Sequence, residues 1–228
     1  MAGNERFNNE AANWDKNPSV QEATRLAFET LKPILKAEQH VLEVGCGTGL
    51  LTLRVAPLVH SIVAVDPAHG MIEALNTKIS STSVENVTSV CQLLEDPEDP
   101  ALPQDSETGK RQKFDLVLSH LVMHHVPDLR LFLGTLLGCL KPGGRVALTD
   151  FEDWGPQAIK FHPPAKLEGV ERHGIPRKWI EDLMREVGFA DVKVWVGWTL
   201  DKKVDEWEDN QPGDTLPFPF LVCEGVKL

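Results

Sequence analysis

The stretch "HVLEVGCGTGLLTLRVA", residues 40–56, decides the fold. It runs from a continuously apolar strand into glycines at alternate positions, Gly45, Gly47 and Gly49, and then into a helical pattern. Because glycine weakens both strands and helices, this concentration of glycine indicates that a ligand lies against the backbone. The first strand-to-helix turn of an open α/β sheet lies where ligands bind, so the turn is the predicted binding site.

Outward from this turn, apolar strands alternate with amphipathic helices. Before it, Ser19 and Glu22 have the spacing of a capping box that opens a helix. Continuously apolar strands that alternate with helices predict a parallel sheet covered on both faces. Near the end of the chain two strands follow each other without a helix, which predicts an antiparallel hairpin. The expected fold is a Rossmann-like three-layer α/β/α sandwich with a seven-stranded, mostly parallel sheet. Its remaining strands are expected in "SIVAVD", "VTSVCQLL", "FDLVLS", "RVALTD", "ADVKVWVGWTL" and "LPFPFLVCEGVKL".

Composition limits the classes of partner. The formal charge of −11 opposes binding along nucleic acid or anionic lipid, and favours a small or neutral substrate. No apolar run approaches the ~20 residues of a membrane span, and the N-terminal residues lack a signal core, so we expect a cytoplasmic protein. The four cysteines are widely spaced, and no Cys/His cluster has metal-ligand spacing, so no metal site is expected. The oligomeric state stays open.

The chain is long enough for one domain, residues 1–228, with a full apolar core. We expect an N-terminal cover and helix in 1–37 and a cofactor-binding core in 38–150. The unpatterned, Pro- and His-containing segment 151–175 is the presumed lid, and 176–228 holds the C-terminal helix and hairpin.

The spacing of the glycines limits the kinds of ligand that the turn can bind. The pattern is G-x-G-x-G, and Leu50 occupies the place of the third glycine of a dinucleotide fingerprint. Asp66 ends the second strand, where a carboxylate can accept two hydrogen bonds from a ribose diol. A nucleoside without a pyrophosphate fits both features. Glu43 lies within the apolar first strand, which is costly for a charge unless it is paired, and a ligand ammonium is a candidate partner.

Four motifs together resemble those of class I S-adenosylmethionine-dependent methyltransferases: "VLEVGCGTG", "VAVDPAHGMIEAL", "FDLVLSHLVMHHVPD" and "LKPGGRVALTD". The resemblance runs from about Val41 to Asp150 and is greatest to the small-molecule group that includes the ubiquinone and menaquinone methyltransferases. It implies S-adenosyl-L-methionine as cofactor and methyl transfer to a small organic acceptor by in-line displacement. Methylation of a protein and a non-catalytic scaffold that keeps the cofactor fold are the alternatives.

The resemblance also implies the residues of the site. Leu93 replaces the aspartate that the family usually has near the adenine, so the Leu94 backbone or the Glu95 carboxylate is expected there. Ser119 and His120 are expected beside the sulfonium, and "AANWDKNPSV" resembles the segment that folds over the cofactor. The expected cofactor contacts are Trp14, Glu43, Gly45, Cys46, Gly47, Gly49, Asp66, Pro67, Met71, Leu94, Glu95 and Ser119.

Histidines are the candidate proton acceptors, because a neutral imidazole near the methyl group can take a proton from the acceptor. The catalytic candidates are His120, His124 and His173, and for His125 a role in fixing its loop is the stronger interpretation. Tryptophans invite a different reading, stacking on a planar or cationic substrate. Trp154 is the best pocket candidate among them, whereas Trp179 and Trp195 are expected in the core.

Overall fold

The computed structural model describes residues 2–205, 207 and 211–228, and in this part of the chain the strands form one seven-stranded sheet. Its order is β3-β2-β1-β4-β5-β7-β6. Strands β1 to β5 pair in parallel, and β7 pairs antiparallel with both β5 and β6. The Rossmann-like α/β prediction, with its C-terminal hairpin, is thereby confirmed. The strands are β1 His40–Val44, β2 Ser61–Asp66, β3 Val87–Cys91, β4 Phe114–His120, β5 Leu140–Phe151, β6 Ala190–Lys203 and β7 Thr215–Val226.

Helices cover both faces of this sheet. Successive strand residues point to opposite faces, and in β1 Val41 joins one core cluster whereas Leu42 joins another. The Val41 side carries α2, α3 and α4, and the Leu42 side carries α5 and α6. The helices are α1 Ala2–Trp14, α2 Pro18–Leu31, α3 Thr52–Val55, α4 His69–Ser80, α5 Leu129–Cys139 and α6 Arg177–Val187.

Two helix starts and ends differ from the sequence patterns. The capping box does not form, because the Asn17 side chain caps α2 by accepting from Ser19 N, and Glu22 instead pairs with Arg25. The helix expected after the glycine turn is only the four residues of α3, followed by a 3₁₀ helix at Ala56–Leu58. Pro57 has no N–H and disfavours continuation of an α-helix at this point.

The N-terminal cover is itself a helix. Phe7, Ala11 and Trp14 of α1 recur at helical spacing and pack on Ala68 and Met71 at the start of α4. The sequence pattern did not predict this helix, because two aromatic residues and three alanines over 13 residues are a weak periodic signal.

Two tryptophans that were expected in the core lie at the surface. Trp179 is 42% exposed on α6, where the guanidinium of Arg172 lies 5.6 Å from its ring centre. Trp195 is 38% exposed, because β6 is an edge strand whose alternate residues face solvent. No helix among the described residues is long and apolar enough to cross a membrane.

Candidate active site

The three glycines of the turn after β1 have different structural roles. A Cβ at Gly45 would lie 2.2 Å from Val122 Cγ2, and a Cβ at Gly49 would lie 2.3 Å from Leu75 Cδ1. Both therefore make room for the protein's own side chains. Gly47 has a positive φ of +52°, and no atom lies within 4 Å of the position a Cβ would take. Of the three glycines in this turn, Gly47 is the one with open space for a ligand.

Asp66, at the end of β2, holds this turn. Its carboxylate accepts from Gly47 N at 2.9 Å and from Ala68 N at 2.8 Å, one on each oxygen. Burial raises the pKa of Asp66, and the two backbone N–H groups act against that rise. Because a carboxylate oxygen can accept more than one hydrogen bond, both oxygens can still accept from a ligand hydroxyl. The open space at Gly47 beside this carboxylate fits the ribose of a nucleoside.

Glu43 finds its partner inside the protein. It is 2% exposed, and Thr52 Oγ1 donates to its carboxyl at 2.6 Å. Burial raises the pKa of Glu43 to about 8, which makes the protonated form dominant at neutral pH. The partner that the structure gives Glu43 is Thr52, and a contact with a ligand ammonium stays a prediction of the sequence. Its contribution to the site is to anchor the residues that follow the glycine turn.

The residues expected to contact the cofactor beyond the glycine turn differ in the accessibility of their side chains. The Cys46 thiol lies in a core cluster with α4, where burial raises its pKa well above the ordinary value, so only its backbone faces the turn. Met71 packs under α1, and Pro67, which follows Asp66, is half-buried. Past β3, Leu94 is buried in the core, so only its backbone can reach a ligand, and Glu95 is exposed. Leu93 stays 38% exposed and is the accessible apolar side chain there.

The segment after α1 is tied to the glycine turn. Thr48 Oγ1 donates to the carboxylate of Asp15, which also pairs with Lys78. The ammonium of Lys78 donates in turn to Thr48 O at 2.7 Å. Trp14 packs its ring against Phe7, with ring centres 5.8 Å apart, within the α1–α4 contact. Trp14 therefore lies in the contact between α1 and α4, and its contact with the cofactor stays a prediction.

At the end of β4, the Ser119 hydroxyl is hydrogen-bonded within the protein, and one ring nitrogen of His120 has no partner among the described residues. Ser119 Oγ donates to Val44 O at 2.8 Å, so this hydroxyl joins β4 to the residue before the glycine turn. The His120 ring bonds to Thr149 Oγ1 through Nδ1, at 2.8 Å. His120 Nε2 is buried and finds no partner among the described residues, and burial lowers the pKa of His120 to about 4. His120 is therefore a neutral, weakly basic imidazole.

His124 is oriented by a buried carboxylate. Its Nδ1 lies 2.9 and 3.0 Å from the two oxygens of Asp150, which is fully buried at the end of β5. Since a carboxylate can only accept, the Nδ1 of His124 carries a proton in this pair. Asp150 also accepts from the backbone N–H groups of His124 and Phe151.

Two more histidines join His124 in a compact group, which we name the histidine cluster: His124, His125 and His162. One ring nitrogen of each lies within 4.8 Å of those of the other two. Burial is the main cause that lowers the pKa of His125 to about 3 and that of His162 to about 2, so both rings are neutral. The sequence missed this cluster, because His162 follows on a separate segment and no local spacing connects it to the "HH" pair.

His173 is the third catalytic candidate. It is exposed and lines a groove of about 590 Å³ on the outer side of the segment after β5. None of the residues of the glycine turn lines this groove. The His173 side chain lines this groove, whereas the backbone N–H groups of the two residues before it, Glu171 and Arg172, donate to His124 O, so a role beside His124 stays a prediction. Other residues of the groove are Asp153, Pro156, Ile159, Arg172 and Trp179.

The comparisons with known proteins agree on methyltransferases. A family model described as a methyltransferase domain matches residues 19–194. An uncharacterised methyltransferase of Schizosaccharomyces pombe is 27% identical over 212 residues, which are 84% of this chain and 73% of that protein. A ubiquinone biosynthesis O-methyltransferase of Rhizobium etli is 34% identical over 108 residues, 46% of this chain and 38% of that protein. The crystal structure of the YcgJ protein from Bacillus subtilis superposes with a TM-score of 0.67 at 19% identity, over 89% of this chain and 97% of that one.

Proposed function

Because this chain belongs to the methyltransferase-domain family and is an S-adenosylmethionine-dependent methyltransferase, we propose that it methylates a small organic acceptor enclosed under its N-terminal helix. The match to a ubiquinone biosynthesis O-methyltransferase over 46% of the chain supports an acceptor of this size class.

The enclosure by α1 is the observation that carries the proposal. Arg6 Nη1 donates to Lys166 O at 2.8 Å and to Glu168 O at 3.0 Å, and Lys166 Nζ pairs with Glu10. At the cofactor side, Asn8 Oδ1 accepts from Gly70 N at 2.8 Å. The helix therefore bridges from α4 to the segment after β5. Such a bridge restricts access from outside, which favours a small acceptor, because a folded protein or a nucleic-acid duplex needs an open surface.

The segment after β5 is also tied down from below. Gly169 O accepts from His125 Nδ1 at 2.7 Å, and the backbone N–H groups of Glu171 and Arg172 donate to His124 O. The guanidinium of Arg172 donates to Pro127 O at 2.7 Å. This closed arrangement excludes water from the reacting groups, which strengthens every electrostatic interaction inside the site.

The residues that would hold the cofactor are those with room for it. Asp66 would accept from the ribose hydroxyls, and the space at Gly47 would take the adjoining part of the molecule. Trp14, Pro67, Met71 and Leu93 surround the same region of the cover and strand ends, and the Leu94 backbone and Glu95 follow. When bound, S-adenosylmethionine supplies a methyl group on a positively charged sulfur, which is a good leaving group.

Acceptor activation is assigned to His124. Asp150 holds the Nδ1 of His124, an arrangement in which a buried carboxylate orients a base. His120 is the less basic neighbour, and its unpartnered Nε2 would accept a hydrogen bond and position the acceptor. Alignment of acceptor, methyl group and sulfur would supply most of the rate, because proximity alone accelerates such a displacement.

The division of the chain is part of the same proposal. Residues 1–37 cover the site, 38–150 bind the cofactor, 151–175 act as lid, and 176–228 complete the single domain 1–228. The cytoplasmic location stays a prediction of the sequence.

The test follows a labelled methyl group. The purified protein is incubated with methyl-labelled S-adenosylmethionine and a protein-containing cell extract, and small molecules are then separated from macromolecules by filtration. We expect the label in the small-molecule fraction as a new methylated compound, and its absence with the Asp66→Ala variant. Label transferred to protein would overturn the small-acceptor proposal and favour a protein substrate.

A further inference from the structure

The histidine cluster brings three imidazole rings close together. His124 and His125 follow β4, and His162 comes from the segment after β5. The ring centre of His124 lies 3.9 Å from that of His125 and 5.0 Å from that of His162. Three imidazoles from two separate segments therefore converge, with ring nitrogens within 4.8 Å of one another.

The outer hydrogen bonds fix two of these rings. His124 Nδ1 donates to the Asp150 carboxylate, and His125 Nδ1 donates to Gly169 O at 2.7 Å. In both rings the Nδ1 atom is engaged in this way, and the Nε2 atom is the remaining nitrogen for an ion. Imidazoles that bind metals commonly donate their second N–H to a carboxylate or a backbone carbonyl in this way, which sets the tautomer and raises ligand strength.

The third ring carries an unsatisfied nitrogen. His162 is 8% exposed, and its Nδ1 is buried without a hydrogen-bond partner among the described residues. A buried polar atom without a partner is costly, and a bound ion at this point would supply one.

We propose that His124, His125 and His162 bind one divalent transition-metal ion, with zinc as the leading candidate. Three neutral imidazoles are a donor set suited to zinc, and a site with three protein ligands keeps one coordination position open. At Zn–N distances of about 2.0–2.1 Å, tetrahedral ligand atoms lie about 3.4 Å apart. The ring nitrogens, which lie within 4.8 Å of one another, therefore have to approach by up to about 1.4 Å, which small shifts of the two segments that carry the rings would provide.

The loop with two of the proposed ligands lies beside the cofactor turn. Val122, two residues before His124, packs against Gly45, so the loop that carries two of the ligands rests on the glycine turn. If the proposed methyl transfer is right, on which this step rests, the metal takes the hydroxyl or thiol of the acceptor. Coordination lowers the pKa of that group, and its proton passes to solvent. His124 then activates the acceptor through the metal and not by taking the proton itself.

The test of metal binding does not depend on activity. Protein without an affinity tag is dialysed against EDTA and titrated with Co²⁺, whose visible absorption reports coordination by imidazoles, and Zn²⁺ is then added as competitor. We expect one equivalent of Co²⁺ to bind and Zn²⁺ to displace it. The His162→Ala and His125→Ala variants should bind at least about 10-fold more weakly, whereas His60→Ala, which changes an exposed histidine outside the cluster, should bind like the unaltered protein.

Asp150→Asn provides the conservative variant. It keeps the shape of the side chain but removes the carboxylate that orients His124, and we expect about 10- to 100-fold weaker Co²⁺ binding. Binding of S-adenosylhomocysteine in the presence of EDTA checks that each variant is folded.

Two outcomes separate the proposals. Apoprotein that binds S-adenosylhomocysteine but takes up no Co²⁺, or whose uptake is unchanged in His162→Ala, would overturn the metal site and leave the methyl transfer intact. Stoichiometric Co²⁺ binding without any methylated small molecule would uphold the metal site and overturn the proposed acceptor class.

Discussion

At the scale of single residues, the glycine turn distinguishes a residue needed for packing from one needed for a ligand. A methyl group at Gly49 meets Leu75, whereas a methyl group at Gly47 meets open space. The sequence shows three equivalent glycines, and only the positions of side chains distant in sequence assign them different roles. The two can therefore be tested against each other.

We predict that Gly49→Ala and Gly47→Ala have opposite profiles. Gly49→Ala should lower the free energy of unfolding by about 2–4 kcal/mol, because the clash with Leu75 adds to the strain of a left-handed residue. Gly47→Ala should cost about 1–2 kcal/mol of strain, but should weaken S-adenosylhomocysteine binding by more than about 10-fold because the methyl group fills the ligand space. Urea unfolding and calorimetric titration measure the two effects. Equal losses of stability would contradict the assignment.

Glu43 predicts a pH dependence of stability. Its pKa is raised from 4.5 to about 8 in the folded protein, so the folded state binds more protons than the unfolded state between these values. Its contribution is complete below about pH 4.5, falls as the pH rises to about 8, and is then constant. Within this window each pH unit should cost up to about 1.4 kcal/mol.

The variant Glu43→Gln isolates this group, because glutamine can still accept from Thr52 but does not titrate. Urea unfolding of both proteins from pH 5 to pH 8 should show the variant gaining stability relative to the unaltered protein as the pH rises. Parallel curves would mean that Glu43 is ionised in the fold.

At the scale of elements, α1 acts as a bridge whose ends rest on different parts of the molecule. We predict that Arg6→Ala loosens it, because Arg6 supplies both hydrogen bonds to the segment at residues 166–168. Hydrogen exchange should accelerate in α1 and in residues 164–169, and S-adenosylhomocysteine should dissociate about 5-fold faster for a loss of about 1 kcal/mol.

Arg25→Ala is the matched control for this prediction. Arg25 lies on the next helix, α2, and among the described residues its side-chain hydrogen bonds go to Glu22 of that same helix and not to another segment. An equal effect of the two substitutions would show that α1 is not held by Arg6.

At the scale of the whole molecule, cofactor binding should report on global stability. S-Adenosylhomocysteine at 100 times its dissociation constant should stabilise the protein by about 2.7 kcal/mol, which for a chain of this length raises the Tm by about 5–10 °C. Asp66→Ala should show almost no shift at the same concentration, since it loses the carboxylate that holds both the turn and the ribose. An equal shift in both proteins would mean that another group binds the ribose.

The architecture was predictable because it depends on strong local patterns. Apolar strands between helices predict a parallel sheet, two strands without a helix predict the hairpin, and Asp128 caps α5 as its position before the helix suggests. The features that escaped prediction depend on contacts between distant segments. The histidine cluster needs His162 beside His124, and the exposure of Trp179 depends on where α6 lies against the sheet.

The position of β7 in the sheet has a consequence for biosynthesis on the ribosome. Strand β6 is made before β7, yet it reaches the sheet only through β7, which lies between β5 and β6. While residues 215–226 are still being translated, β5 and β6 each expose an unpaired edge. The interval before β7 is made is therefore when this domain depends most on chaperones, and a ribosome stalled before β7 would release a product prone to aggregation.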